Sequence, residues 1–123
     1  MSLSNTVETE MLTDFLTRHP TLYLALSTAD PGEDGSTISE PSAGTGYVRQ
    51  LVGAVTLSGS TISNNNDIQF PAATGDQGTL TYGALFTAGS GGTFLGYASI
   101  TSTPCPAGTV IVVAASTPLM TLD

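Results

Sequence analysis

The sequence predicts an all-β fold: an antiparallel β-sandwich, jelly-roll-like, with one amphipathic helix ahead of it. Three observations carry this. Charged residues make up only 10% of the chain, against about 25% in ordinary soluble domains, and Ser, Thr, Asn and Gly replace them, a set that suits strands and tight turns. From Thr21 onward apolar residues recur with period two. Short Gly-rich and Asn-rich clusters punctuate these runs at regular intervals.

The first segment is the exception. Val7, Met11, Leu12, Phe15 and Leu16 recur at helical spacing, with Glu8, Glu10, Thr13 and Asp14 between them. Asn5 is the predicted N-cap with Glu8 three residues on, Arg18 and His19 suit the carbonyl end, and Pro20 stops the helix. Residues 1–20 therefore form a helical arm and residues 21–123 the sandwich, within a single domain.

Leu22, Leu24 and Leu26 alternate with Tyr23, Ala25 and Ser27 as in a half-buried strand. Asp30 to Gly46, rich in Pro, Gly, Ser and acids, has no apolar period and is predicted to be a long surface loop. Further strands are expected at Tyr47 to Leu57, Thr61 to Ile62, Ile68 to Phe70, Thr79 to Thr87, Thr93 to Thr101, Thr109 to Ala115 and Leu119 to Leu122, about eight in all. Between Thr79 and Thr101 a hairpin turning through Ser90 would set Leu80, Tyr82, Ala84 and Phe86 opposite Ile100, Ala98, Gly96 and Phe94.

These elements, taken together, resemble a widespread family of small structural proteins of tailed bacteriophages. The resemblance covers essentially the whole chain. It rests on the start Met1-Ser2-Leu3 followed by Asn5, on Leu22 through Pro31, on Gly46-Tyr47-Val48-Arg49-Gln50, on Ser63-Asn64, and on a Gly-Gly hairpin. The most specific stretch is Ile68-Gln69-Phe70-Pro71-Ala72-Ala73-Thr74-Gly75-Asp76 followed by Gly78-Thr79. Gln77 departs from the family, which commonly has an aromatic residue there. Such proteins are labelled tail fibre, decoration or virion structural proteins, so the resemblance implies a virion component assembled in the cytoplasm of a bacterial host.

The residues themselves exclude several functions. Ten acids against two basic residues, Arg18 and Arg49, give a net charge of -8 with no lysine. Nucleic-acid binding depends on Lys and Arg displacing counterions, and anionic membranes repel such a chain, so neither partner is expected. No stretch approaches the roughly 18 apolar residues of a membrane span, and the N-terminus lacks a secretion signal. Cys105 is the single cysteine, which precludes an internal disulfide.

No catalysis, cofactor or metal is expected. His19, the single histidine, has no obvious base or nucleophile partner. Cys105, between two prolines, has no cationic neighbour to make it a thiolate. One Cys and one His cannot close a zinc site. Asp30, Glu33, Asp34 and Glu40 match no calcium-loop spacing, and a solvated acidic loop is the simpler reading. Asp67 and Asp76, the carboxylates a small glycosidase would need, sit among hydrating Asn and Gly.

Binding to other protein subunits remains. The first expectation is a capsid decoration, or cement, protein that bridges capsomers as a homotrimer or other homo-oligomer, with the major capsid protein as favoured partner. The alternative is a tail, collar or fibre component, connector or receptor-facing, in which Tyr47, Tyr82 and Tyr97 would offer rings to sugars unless packing uses them. Met11, Phe15, Glu33, Asp34 and Tyr47 are the candidate partner-binding residues.

Overall fold

The computed structural model describes residues 3 to 121; Met1, Ser2, Leu122 and Asp123 lie outside it, and with them the last residue of the strand predicted over Leu119 to Leu122. Helix α1 spans Asn5–Arg18. Its N-cap is Ser4, not Asn5. Ser4 has extended backbone angles and its hydroxyl accepts from the Val7 N–H at 3.2 Å, whereas Asn5 is already helical. The helix ends at His19, whose N–H donates to the Phe15 carbonyl.

Nine strands follow: β1 (Tyr23–Ser27), β2 (Gln50–Leu51), β3 (Val55–Ser58), β4 (Thr61–Asn64), β5 (Ile68–Gln69), β6 (Thr79–Phe86), β7 (Phe94–Pro104), β8 (Val112–Val113) and β9 (Pro118–Thr121). The predicted strand at Tyr47 to Leu57 is broken into β2 and β3. Gly53 lies at the break with a φ of +74°, which a β-strand cannot accommodate. One layer is continuous, in the order β2-β1-β6-β7. Facing it are two smaller sheets, β3-β4-β9 and β5-β8, in place of a second continuous layer. Every pairing is antiparallel.

The main core lies between these layers. Leu24, Leu26, Leu80 and Leu85 from the large sheet meet Ile68, Phe70, Val113 and Leu119, and Phe15 and Leu16 of α1 pack on the same cluster. A second cluster, Ala25, Ala84 and Phe86 with Ile38 and Phe94, occupies the opposite face of the large sheet. Strand β1 is thus buried on both faces rather than one, because the segment predicted as a surface loop folds back over it. Pro31 of that segment is fully buried and Ile38 packs on this second cluster. Within this segment only Ala43–Thr45 forms a helical turn.

The β6–β7 hairpin begins in the expected register, with Phe86 opposite Phe94. It then slips: Ala84 pairs with Tyr97, Tyr82 with Ser99, and Leu80 with Thr103. Two β-bulges cause this, one between Leu85 and Phe86 and one between Leu80 and Tyr82. A one-residue slip reverses the face a side chain points to. Leu80 accordingly lies in the main core while Ala84 and Phe86 lie in the second cluster.

Candidate functional site

Two surfaces and one buried clamp stand out, and each is built by a different part of the fold. Helix α1 rests on the β3–β4 turn, where the Thr9 hydroxyl donates to the Gly59 carbonyl at 2.8 Å, and it inserts Leu12 into the protein. Val7 and Met11 of the helix are exposed by 38% and 48%, and Leu3, just ahead of the N-cap, by 42%. The i, i+4 spacing of Val7 and Met11 sets these two side chains one above the other on the helix surface. Met11 therefore stands in solvent. Phe15, one turn further on, is half-buried against the core and the His19 ring.

The second surface is the start of the long connection. Asp30 accepts from the Gly32 N–H at 2.9 Å and Asp34 from the Ser36 N–H at 3.0 Å, so both acids shape turns. The Ser36 hydrogen bonds hold the Asp34 carboxyl below its ordinary range. Glu33 and Asp34 are exposed. The charge of Glu33 holds the Tyr97 phenol above its ordinary value, and the Tyr82 hydroxyl reaches Asp30 at 3.5 Å. Acid and aromatic groups thus adjoin on the outer face of β6 and β7, where Tyr97 stacks on Phe94 with 6.2 Å between ring centroids.

The third is a clamp that the sequence did not reveal. Arg49 donates from Nε and Nη2 to the two carboxylate oxygens of Glu40, both at 2.8 Å, and from Nη1 to the carbonyls of Ala88 and Gly91. One guanidinium thereby ties the long connection to the β6–β7 turn. The signal was faint: Arg49 is one of only two basic residues, set in an otherwise apolar stretch.

Tyr47 corrects an expectation. It is 9% exposed, stacked on Phe70, and its hydroxyl donates to Glu40 at 2.7 Å while accepting from the Leu26 N–H at 3.0 Å. Strand β2 covers only Tyr23 and Leu24 of β1, so this hydroxyl takes the place of a strand for Leu26. The Tyr47 ring is therefore core and cannot lie flat on a partner or sugar.

Gln77, the departure from the resembling family, is also internal. Its amide donates to the Thr45 carbonyl at 3.0 Å and its oxygen accepts from the Cys105 thiol at 3.3 Å. Burial pushes the thiol pKa up. Among the described residues no three His, Cys, Asp or Glu side chains gather as metal ligands would.

No curated protein matches the chain. The family described as podophage GP4 fiber I protein gp80 matches residues 2–118, almost the full length. This match agrees with the resemblance drawn from the Phe70 to Asp76 run and identifies a structural component of a tailed phage. The chain belongs to the podophage GP4 fiber I protein gp80 family.

Proposed function

We infer that the chain is a non-enzymatic building block of a podophage tail fibre, attached by protein–protein contacts to other subunits of the virion. The match over residues 2–118 to a fibre family carries this reading. It favours the connector or fibre alternative over the capsid-decoration role expected first. The exposed apolar side chains of Val7 and Met11 on the helix, with Leu3 ahead of it, support a protein partner. The net charge of -8 supports protein over nucleic acid.

Copy number and position test the reading. Quantified virion protein and gold-labelled particles should show a few to a few dozen copies, all at the tail. Label spread over the head in hundreds of copies would establish the decoration role instead and overturn the fibre assignment.

A further inference from the structure

Four aromatic rings form an unbroken row across the outer face of β6 and β7. Phe86 meets Phe94 edge-on with 5.6 Å between centroids, Phe94 stacks on Tyr97 at 6.2 Å, and Tyr97 meets Tyr82 at 6.2 Å with their planes 52° apart. The register builds this row: Phe86 opposes Phe94, and Tyr82 opposes Ser99, which sets Tyr97 diagonally across from Tyr82 and within reach of its ring. The two ends of the row differ. At the Phe86 end the Arg49 guanidinium lies on the ring and donates to both carboxylate oxygens of Glu40, so the chain supplies ring, cation and acid together. At the Tyr82 end ring and acid are again side by side. Asp30 Oδ2 lies 3.5 Å from the Tyr82 hydroxyl, and the Glu33 charge, then burial and the Asp30 charge, hold the Tyr97 phenol above its ordinary value. Among the described residues neither arginine reaches this end, because Arg49 is held by Glu40 and Arg18 by Asp14. Tyr97, Asp30 and Glu33 are all exposed.

We propose that this exposed end of the row, Tyr82 and Tyr97 with Asp30 and Glu33, docks an arginine side chain presented by another protein of the virion. The face of a phenol ring attracts a cation, and a carboxylate beside it attracts the same cation. A planar guanidinium meets both at once, stacking on the ring while its N–H groups point to the acid. The molecule already contains that arrangement at Phe86, with Arg49 and Glu40.

Charge complementarity selects the occupant. The chain has ten acids, two arginines and no lysine. A second copy could offer only Arg18, which already sits beside Asp14, and its approach would set a net charge of -8 against another of -8. A basic segment of a different protein is attracted to the whole molecule and finds at Tyr82 and Tyr97 the one exposed place described here where rings and acids adjoin. The identity of the partner as a virion protein rests on the building-block reading above, whereas the chemistry of the site does not. Labelled particles test that reading, and a titration of the isolated chain tests the site alone.

The probe is the peptide acetyl-Gly-Arg-Gly-Arg-Gly-amide, added to the full isotope-labelled chain, and the control is the same peptide with citrulline, which keeps the shape of arginine without its charge. In aromatic NMR spectra the Tyr82 and Tyr97 ring signals should move saturably with the arginine peptide at millimolar concentration and stay in place with the citrulline peptide. The double variant Asp30→Asn, Glu33→Gln should weaken binding by about tenfold, and Tyr97→Leu by about threefold or more. The double variant Asp67→Asn, Asp76→Asn removes the same amount of charge elsewhere on the surface and should weaken binding by less than about twofold. Asp30, Asp67 and Asp76 each accept a backbone N–H, which asparagine can also accept, and circular dichroism checks that every variant is folded. Rings that do not move, an equal response to the citrulline peptide, or equal weakening by the two double variants would overturn the proposal. So would the same rings saturating with the neutral sugar maltotriose, which would make this face a carbohydrate platform.

Discussion

The Arg49 guanidinium lies over the Phe86 ring, its Cζ 3.6 Å from the ring centroid, while its nitrogens hold Glu40 on both carboxylate oxygens. The Arg49 and Glu40 side chains are only 9% and 22% exposed. This pair therefore belongs with buried ion pairs, in which loss of one partner strands the other charge. The contrast is Arg18 with Asp14, 3.0 Å apart but 73% and 61% exposed, a pair that contributes little.

Arg49→Met should destabilise the fold by about 3 kcal/mol, since it leaves the Glu40 carboxylate without its cation and removes the contact with Phe86. Glu40→Gln should cost somewhat less. The double variant should cost less than the sum, with a coupling of about 1 to 3 kcal/mol. Urea unfolding of the four proteins measures this, and simple additivity would mean that the pair is not coupled.

Stability should fall on both sides of a neutral plateau. Burial pushes the Glu40 carboxyl up, but the hydrogen bonds from Arg49 and Tyr47 and the Arg49 charge outweigh it and leave the group below its ordinary 4.5. A depressed folded pKa means that the unfolded chain binds more protons in acid, so this contribution is complete above about 4.5 and is lost as pH falls through the folded value. Burial and the Glu40 hydrogen bond raise the Tyr47 phenol above its ordinary 10.0, so stability should also decline as pH rises past that value. Melting curves across pH should show both limbs, and Glu40→Gln should flatten the acid one.

Tyr47→Phe keeps the ring on Phe70 but removes the acceptor of the Leu26 N–H. Leu26 is 2% exposed, so water cannot readily replace the hydroxyl, and a loss of about 1 to 3 kcal/mol is expected. The Leu26 amide should also exchange faster in hydrogen-exchange measurements; unchanged protection there would contradict the role assigned to this hydroxyl.

Gly35→Ala should loosen the long connection. Gly35 has a φ of +74°, and a Cβ there would lie 2.7 Å from the Phe94 ring. Strain and clash together should cost more than about 1 kcal/mol. Limited proteolysis should then cut between Asp30 and Gly46 faster than in the parent chain, and equal cutting rates would show that the close approach is not needed.

What was legible in the sequence rested on near-neighbour spacing. The α1 helix, the Leu22 to Ser27 strand and the hairpin through Ser90 all announce themselves through residues two to four apart, because backbone periodicity links those positions directly. Even the N-cap missed by only one position, Ser4 for Asn5, since both residue types can cap and only the backbone angles distinguish them. Among the candidate contact residues, Met11, Glu33 and Asp34 lie on the surface, whereas Tyr47 does not, and its period-two position could not say that a second layer would cover it.

By itself, then, the amino-acid order determined the all-β class, the helix, the turn positions and a charge-poor, net-acidic composition without lysine. Tertiary structure alone decided the bulges that turn Leu80 away from Ala84 and Phe86, the closure of the long connection over β1 and the grip of Arg49 on Glu40. The physical reason is that these features depend on residues far apart in the chain competing for the same volume and the same hydrogen-bond partners, and such competition leaves no periodic trace in the sequence.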